Sequence, residues 1–175
     1  GATTLVSIRL GQGRKEEAER VMGNAVVLLF ITSLLITAFG FTFMEPMLRL
    51  FGASDAVLPY AREYMEIVIL GTVFGLLSFG MNNFLRAEGN PGKAIVTMLI
   101  SSICNIILTF LFVTVFKWGM RGSAFATIIS QAASASWIIT HFALGKGELK
   151  IRRKNFRLQR GLVTTILFMG LSPFA

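Results

Sequence analysis

Three lines of polar side chains run through stretches that otherwise hold almost no charge. Ser78, Asn82 and Arg86 recur every four residues, and so do Thr97, Ser101, Asn105 and Thr109. Thr127, Ser130, Gln131 and Ser134 follow the i, i+3, i+4, i+7 spacing that puts side chains on one face of a helix. In apolar surroundings such hydroxyls and amides can do one of two things. They can hydrogen-bond from helix to helix, for about 1 kcal/mol apiece, or they can line a polar cavity that receives a solute or a hard cation. Both readings stand open. Asn105 and Gln131, whose amides cost more to bury, and Thr109, one turn from Asn105, give the cavity its best candidates, with Ser101, Thr127 and Ser134 beside them.

Other chemistry is absent from the sequence. There is no Ser-His-Asp or Cys-His set, no HExxH, no GxxxxGK[ST] and no glycine-rich dinucleotide loop. The single Cys104 lies in an apolar run and offers neither a disulfide framework nor a metal site. His141 stands alone near the end of another such run, and although it is able to titrate near neutral pH it reads as passive. Carboxylates fall in charged turns beside basic residues, as in Arg14 to Arg20, where Lys15 with Glu19 and Glu16 with Arg20 are spaced for surface pairs. Neither catalysis nor an organic cofactor is expected.

The elements that must position the polar lines are membrane helices. Of 175 residues 54% are hydrophobic and 15% charged, which is too apolar for an ordinary soluble domain. Charge-free runs cover residues 21–44, 67–85, 94–116 and 122–144, each close to the roughly 20 residues needed to cross a bilayer as a helix. Four spans are expected, with Pro46 ending the first and Ser54 capping the helix that follows. Between the second and third spans lies RAEGNPGK, residues 86–93, a turn built from Arg86, Glu88, Gly89, Asn90 and Pro91. Residues 1–10 read as the end of an earlier helix and 161–175 as the start of a later one.

The net charge of +8 is not spread as it would be for nucleic acid. Seven of seventeen basic residues fall within 146–160, beside an apolar run, where topology and anionic headgroups are the usual cause. Alternate loops carry unequal charge: thirteen Lys and Arg lie in 9–20, 86–93 and 146–160, against four in 45–64 and 117–121. That places the first set in the cytoplasm of a multi-pass protein of the cell (inner) membrane. Segment 148–160 alternates basic and apolar positions, as would a helix lying on the inner leaflet.

Four pieces in order, TLVSIRLGQGRKEEAERVMGNA ending at Ala25, FLRAEGNPGKA at 84–94, NIILT at 105–109 and GMRGSAFATIISQ at 119–131, resemble the multidrug and toxic compound extrusion (MATE) transporters. The resemblance implies an all-α fold, twelve helices in two six-helix lobes related by pseudo-symmetry, working by alternating access. It implies that residues 1–145 run from the end of the second helix through the sixth, 146–160 form the inter-lobe linker and 161–175 begin the seventh. Members export cationic or amphipathic compounds in exchange for Na⁺ or H⁺. The implied partners are thus small-molecule substrates, the lipid bilayer and the rest of the same polypeptide, including a first helix that in many members supplies an acidic residue. Asn105 matches the Asn of the fifth-helix motif that helps bind the coupling cation. Thr109 stands where the motif commonly has Asp, and Phe110 where it commonly has Pro. The Asp-to-Thr difference removes a titratable carboxylate and leaves a neutral oxygen that can still assist a hard cation, which argues against proton coupling at this position and leaves open Na⁺ coupling here or coupling in the C-lobe. Alternative readings are a lipid-linked oligosaccharide flippase of the same superfamily, which calls for more basic cavity residues, and a non-transporting scaffold or channel subunit.

Overall fold

The computed structural model describes residues 1–145 and 147–171. Lys146, within the basic segment, and residues 172–175, at the end of the final apolar run, lie outside the described residues. The helices are α1 (Ala2–Gly11), α2 (Lys15–Leu50), α3 (Leu58–Leu70), α4 (Thr72–Ala87), α5 (Pro91–Thr109), α6 (Gly119–Ala143) and α7 (Arg160–Leu171). A π-helical segment (Phe110–Val115) extends α5, a 3₁₀ turn (Arg153–Phe156) precedes α7, and there is no strand among the described residues.

Two helices are long and apolar enough to cross a bilayer unaided: α2, and α5 with its π-helical extension. The expected second span is instead a broken pair, α3 and α4, bent by 53°. The break falls at Gly71, where a Cβ would lie 2.3 Å from the Ile128 side chain of α6. Only a residue without one admits α6 so closely. α6 has 25 residues, enough to span, but does not reach the same apolar character. It packs among α3, α4 and α5, where its Gly, Ala and Ser residues permit near approach.

Helix boundaries differ from the sequence expectation in three places. The charged segment 14–20 is no separate turn, because all but Arg14 belongs to α2, whose 36 residues make a rod about 54 Å long. Pro46 lies inside α2 and does not end it. In the last turn a missing N–H forfeits only one bond, and Arg49 pairs across the site with Glu45 at 3.3 Å. The helix stops one turn later, where Gly52 adopts φ 91° and the amides of Gly52 and Ala53 return to the carbonyls of Arg49 and Leu48. Ser54 caps nothing: α3 begins at Leu58, and the Ser54 carbonyl accepts from the amides of Val57 and Leu58 in a preceding turn. Asp55, expected in the first turn of that helix, pairs backwards with Arg49 at 2.9 Å.

The turn at 86–93 forms as its residues require. Gly89 takes φ 79°, the amides of Gly89 and Asn90 bond to the carbonyls of Arg86 and Leu85, and Pro91 opens α5. This turn lies at the end of the bundle where the densest core sits. Val6 of α1, Met22 of α2, Phe84 of α4, Phe142 of α6 and Leu149 of the linker are all buried there. Further along the helices the outward face is apolar and bare, with Leu35, Phe39, Ile106, Ile107 and Phe110 each more than half exposed, as a lipid-facing surface would be. The segment after α6 is not a helix on a surface. Its described residues are irregular apart from a 3₁₀ turn, and it lies against the bundle with Leu149 and Asn155 buried.

Candidate functional site

The lines of α4 and α5 meet in a groove of about 340 Å³. Ser78, Asn82 and Arg86 line it from α4, Thr97 and Ser101 from α5, and Gln131 from α6. The regular four-residue spacing on α4 and α5 is what brings these side chains to facing sides, and Gly75 gives the Gln131 amide room beside α4. Asn82 is 8% exposed, and its Oδ1 is the one buried side-chain oxygen or nitrogen without a hydrogen-bond partner among the described residues. A buried amide oxygen left so costs about 1–3 kcal/mol. Arg86, one turn further on, closes one end of the groove and reaches the sulfur of Met98 at 3.7 Å. Ser102 and Asn83, absent from the sequence-based set, also line it.

A second polar cluster joins α5 to α6. Asn105 donates through Nδ2 to the hydroxyls of Thr127 and Ser130, both long at 3.4 Å. Those hydroxyls in turn donate to the carbonyls of Ser123 at 3.0 Å and Thr127 at 2.8 Å. Thr109 does not join this cluster. It ends α5 one turn beyond Asn105, half-buried, where the backbone widens into the π-helical segment. No side-chain hydrogen bond holds it among the described residues. Ser134 serves helix packing: wholly buried, its hydroxyl lies 2.7 Å from that of Ser78 and 3.0 Å from the Gln131 carbonyl. No group of three or more acidic, Cys or His side chains able to hold a metal occurs among the described residues.

At the densely packed end, Glu88 and Gly89 have distinct tasks. Gly89 supplies the turn, while the Glu88 carboxylate is buried and meets His141 Nε2 at 3.0 Å. His141, read from the sequence as a passive interfacial residue, is thus paired and stacked on Trp137. Glu19 likewise leaves the surface role expected of it. It is 2% exposed and binds Arg152 at 3.0 Å, across 133 residues of sequence. An Asn inside an apolar run, Asn24, was the available signal for this docking.

Apolar helices around a polar groove define an integral membrane bundle with a solute-sized recess. The MatE family profile matches residues 1–111. The chain belongs to the MATE family of membrane transporters. It is 26% identical over 178 residues to the probable multidrug resistance protein YoeA of Bacillus subtilis, covering 98% of this chain and 38% of that one. With the multidrug export protein MepA of Staphylococcus haemolyticus it shares 26% over 174 residues, 99% of this chain and 38% of MepA. An inward-facing structure of a multidrug resistance MATE transporter superposes with TM-score 0.90 at 25% identity, over 97% of this chain and 39% of that one. The outward-facing form gives 0.85 at 25% identity, over 95% and 37%. The chain therefore spans less than two-fifths of the length of these relatives.

Proposed function

We propose that this chain forms most of one lobe of a multidrug exporter that expels cationic or amphipathic compounds by alternating access, without covalent chemistry. The observation that carries the reading is the groove between α4, α5 and α6, whose buried Asn82 Oδ1 lacks a partner among the described residues. A compound bearing an N–H donor or a positive charge would satisfy that oxygen, and the amide of Gln131 and hydroxyl of Ser101 offer further bonds. Apolar walls such as Phe79 and Met98 accommodate its rings. The similarity to MepA, a multidrug export protein, supports the same reading.

The coupling ion is Na⁺ or H⁺. A half-turn of the Asn105 amide would present its carbonyl oxygen alongside the hydroxyls of Thr127 and Ser130, three neutral oxygens suited to a hard monovalent cation. Thr109, one turn away, adds a fourth only if its segment shifts toward them. None of these groups can exchange a proton near neutral pH, so the site favours Na⁺. The charge bias places residues 9–20, 86–93 and 146–160 at the cytoplasmic face of the inner membrane. Among the described residues the groove holds a single basic side chain, Arg86, fewer than the phosphates of a lipid-linked oligosaccharide require.

The test is dye accumulation in efflux-deficient cells expressing the full-length protein, with the Na⁺ and proton gradients collapsed separately. Export lost when Na⁺ is removed supports the oxygen cluster as the coupling site. Loss only on collapse of the proton gradient moves coupling elsewhere, and absence of export with the protein in the membrane overturns the reading.

A further inference from the structure

Three side chains buried in the bundle face the segment 149–159, and each accepts a hydrogen bond from its main chain. Glu88 Oε2 accepts from the Leu149 amide at 3.1 Å, Glu19 Oε1 from Lys150 at 3.2 Å and Asn24 Oδ1 from Gln159 at 2.8 Å. Asn24 also donates through Nδ2 to the carbonyls of Asn155 and Arg157, both at 3.3 Å. Exposures of 2% for Glu19, 1% for Asn24 and 7% for Glu88 put all three inside the protein. The remaining oxygens are engaged too: Arg152 meets Glu19, while His141 and Asn90 meet Glu88. Buried carboxylates satisfied in this way are strong, charge-assisted acceptors.

The fit is tight as well as polar. A Cβ on Gly23 would lie 2.5 Å from the Asn155 carbonyl oxygen, so the segment rests directly on the α2 backbone. Ile151 donates its amide to the Phe142 carbonyl at 3.1 Å, and Leu149 is fully buried. After Gln159, at the N-terminal end of α7, no such clasp continues among the described residues.

We propose that Glu19, Asn24 and Glu88 are positioning residues of the transport cycle. They make 149–159 a fixed part of the α1–α6 bundle and confine the joint for α7 to the neighbourhood of Gln159 and Arg160. α7 rests on α1 and α2, a contact that turning about this joint would change. The proposal rests on the transport reading above. Without the clasp, the tether to α7 would lengthen from about two residues to about a dozen, with a flexible reach of about 20 Å. Turnover would fall because α7 loses its fixed pivot. Apparent affinity would not, because no residue of 149–159 lines the groove.

The experiment uses the full-length protein in proteoliposomes, with hydrogen–deuterium exchange of amides 149–159 read beside uptake of ethidium, a fluorescent monocation. In wild type these amides are expected to exchange slowly. Glu88→Gln combined with Asn24→Ala should speed their exchange roughly tenfold or more and lower Vmax at unchanged KM. Gly23→Ala, which removes no hydrogen-bonding group, should do the same by lifting the segment from α2. Rapid exchange in the wild type, or faster exchange in the variants with Vmax unchanged, would overturn the proposal. A wild type that moves no dye would sink the transport reading instead, while the exchange data would still judge the clasp.

Discussion

Asn82 concentrates the energetic oddity of this molecule in one atom. Among the described residues its buried Oδ1 finds no partner for a hydrogen bond that nearly every buried polar atom makes. If that oxygen is kept for a solute, Asn82→Leu should stabilise the detergent-purified protein by about 1 kcal/mol, read as a higher thermal midpoint, while ethidium uptake falls. A lower midpoint would show that the amide supports the fold. Asn105 poses the opposite case, since its bonds to Thr127 and Ser130 hold two helices together. Asn105→Ala should cost about 1 kcal/mol of stability and reduce Na⁺-driven export, and an unchanged export rate would remove Asn105 from the coupling site. The polar lines themselves were legible because their spacing is that of a helix face. The tasks of Glu19, Glu88 and His141 were not, because each depends on a partner more than fifty residues away.

At the scale of elements, apolar runs located the helices but not their interruptions. Nothing local distinguishes Gly71, which breaks a span, from Gly40, which sits within unbroken α2. Both are packed by a side chain of another helix, and a Cβ at Gly71 would lie 2.3 Å from the Ile128 side chain. Gly71→Ala should therefore cost about 1–3 kcal/mol through overpacking, and Ile128→Ala should recover part of that loss in a double-mutant cycle on thermal midpoints. Additive losses would mean the two positions are not in contact. Pro46 and Ser54 also misled. Pro46 stands close enough to the end of α2 that its missing N–H forfeits little, and the cap preference of Ser54 is weak beside the turn its carbonyl closes with Val57 and Leu58. The turn at 86–93 was legible throughout, since φ > 0 at Gly89 and a fixed φ at Pro91 are properties of those residues alone.

Across the whole molecule, the dense core and the clasped linker occupy one end, while bare apolar faces and the polar groove occupy the rest. That division suits a transporter lobe, firm where it joins its neighbour and open where a solute enters. The basic segment 148–160 shows how composition alone can mislead: its alternation suggested a surface helix, yet the main chain of 149–159 is held by buried side chains from α2 and from the turn that follows α4. Its exposed cations still predict topology. A cysteine replacing Lys154 should resist an impermeant thiol reagent added outside intact cells, and labelling from outside would invert the orientation.

The most direct measurement of the central claim is ethidium transport by the full-length protein in proteoliposomes under an imposed Na⁺ gradient, comparing wild type with Asn82→Leu and Gln131→Ala. Transport by the wild type and about a tenfold loss in each variant, with folding intact by thermal melting, is the predicted result. Variants that transport at the wild-type rate would show that the groove between α4, α5 and α6 does not carry the solute.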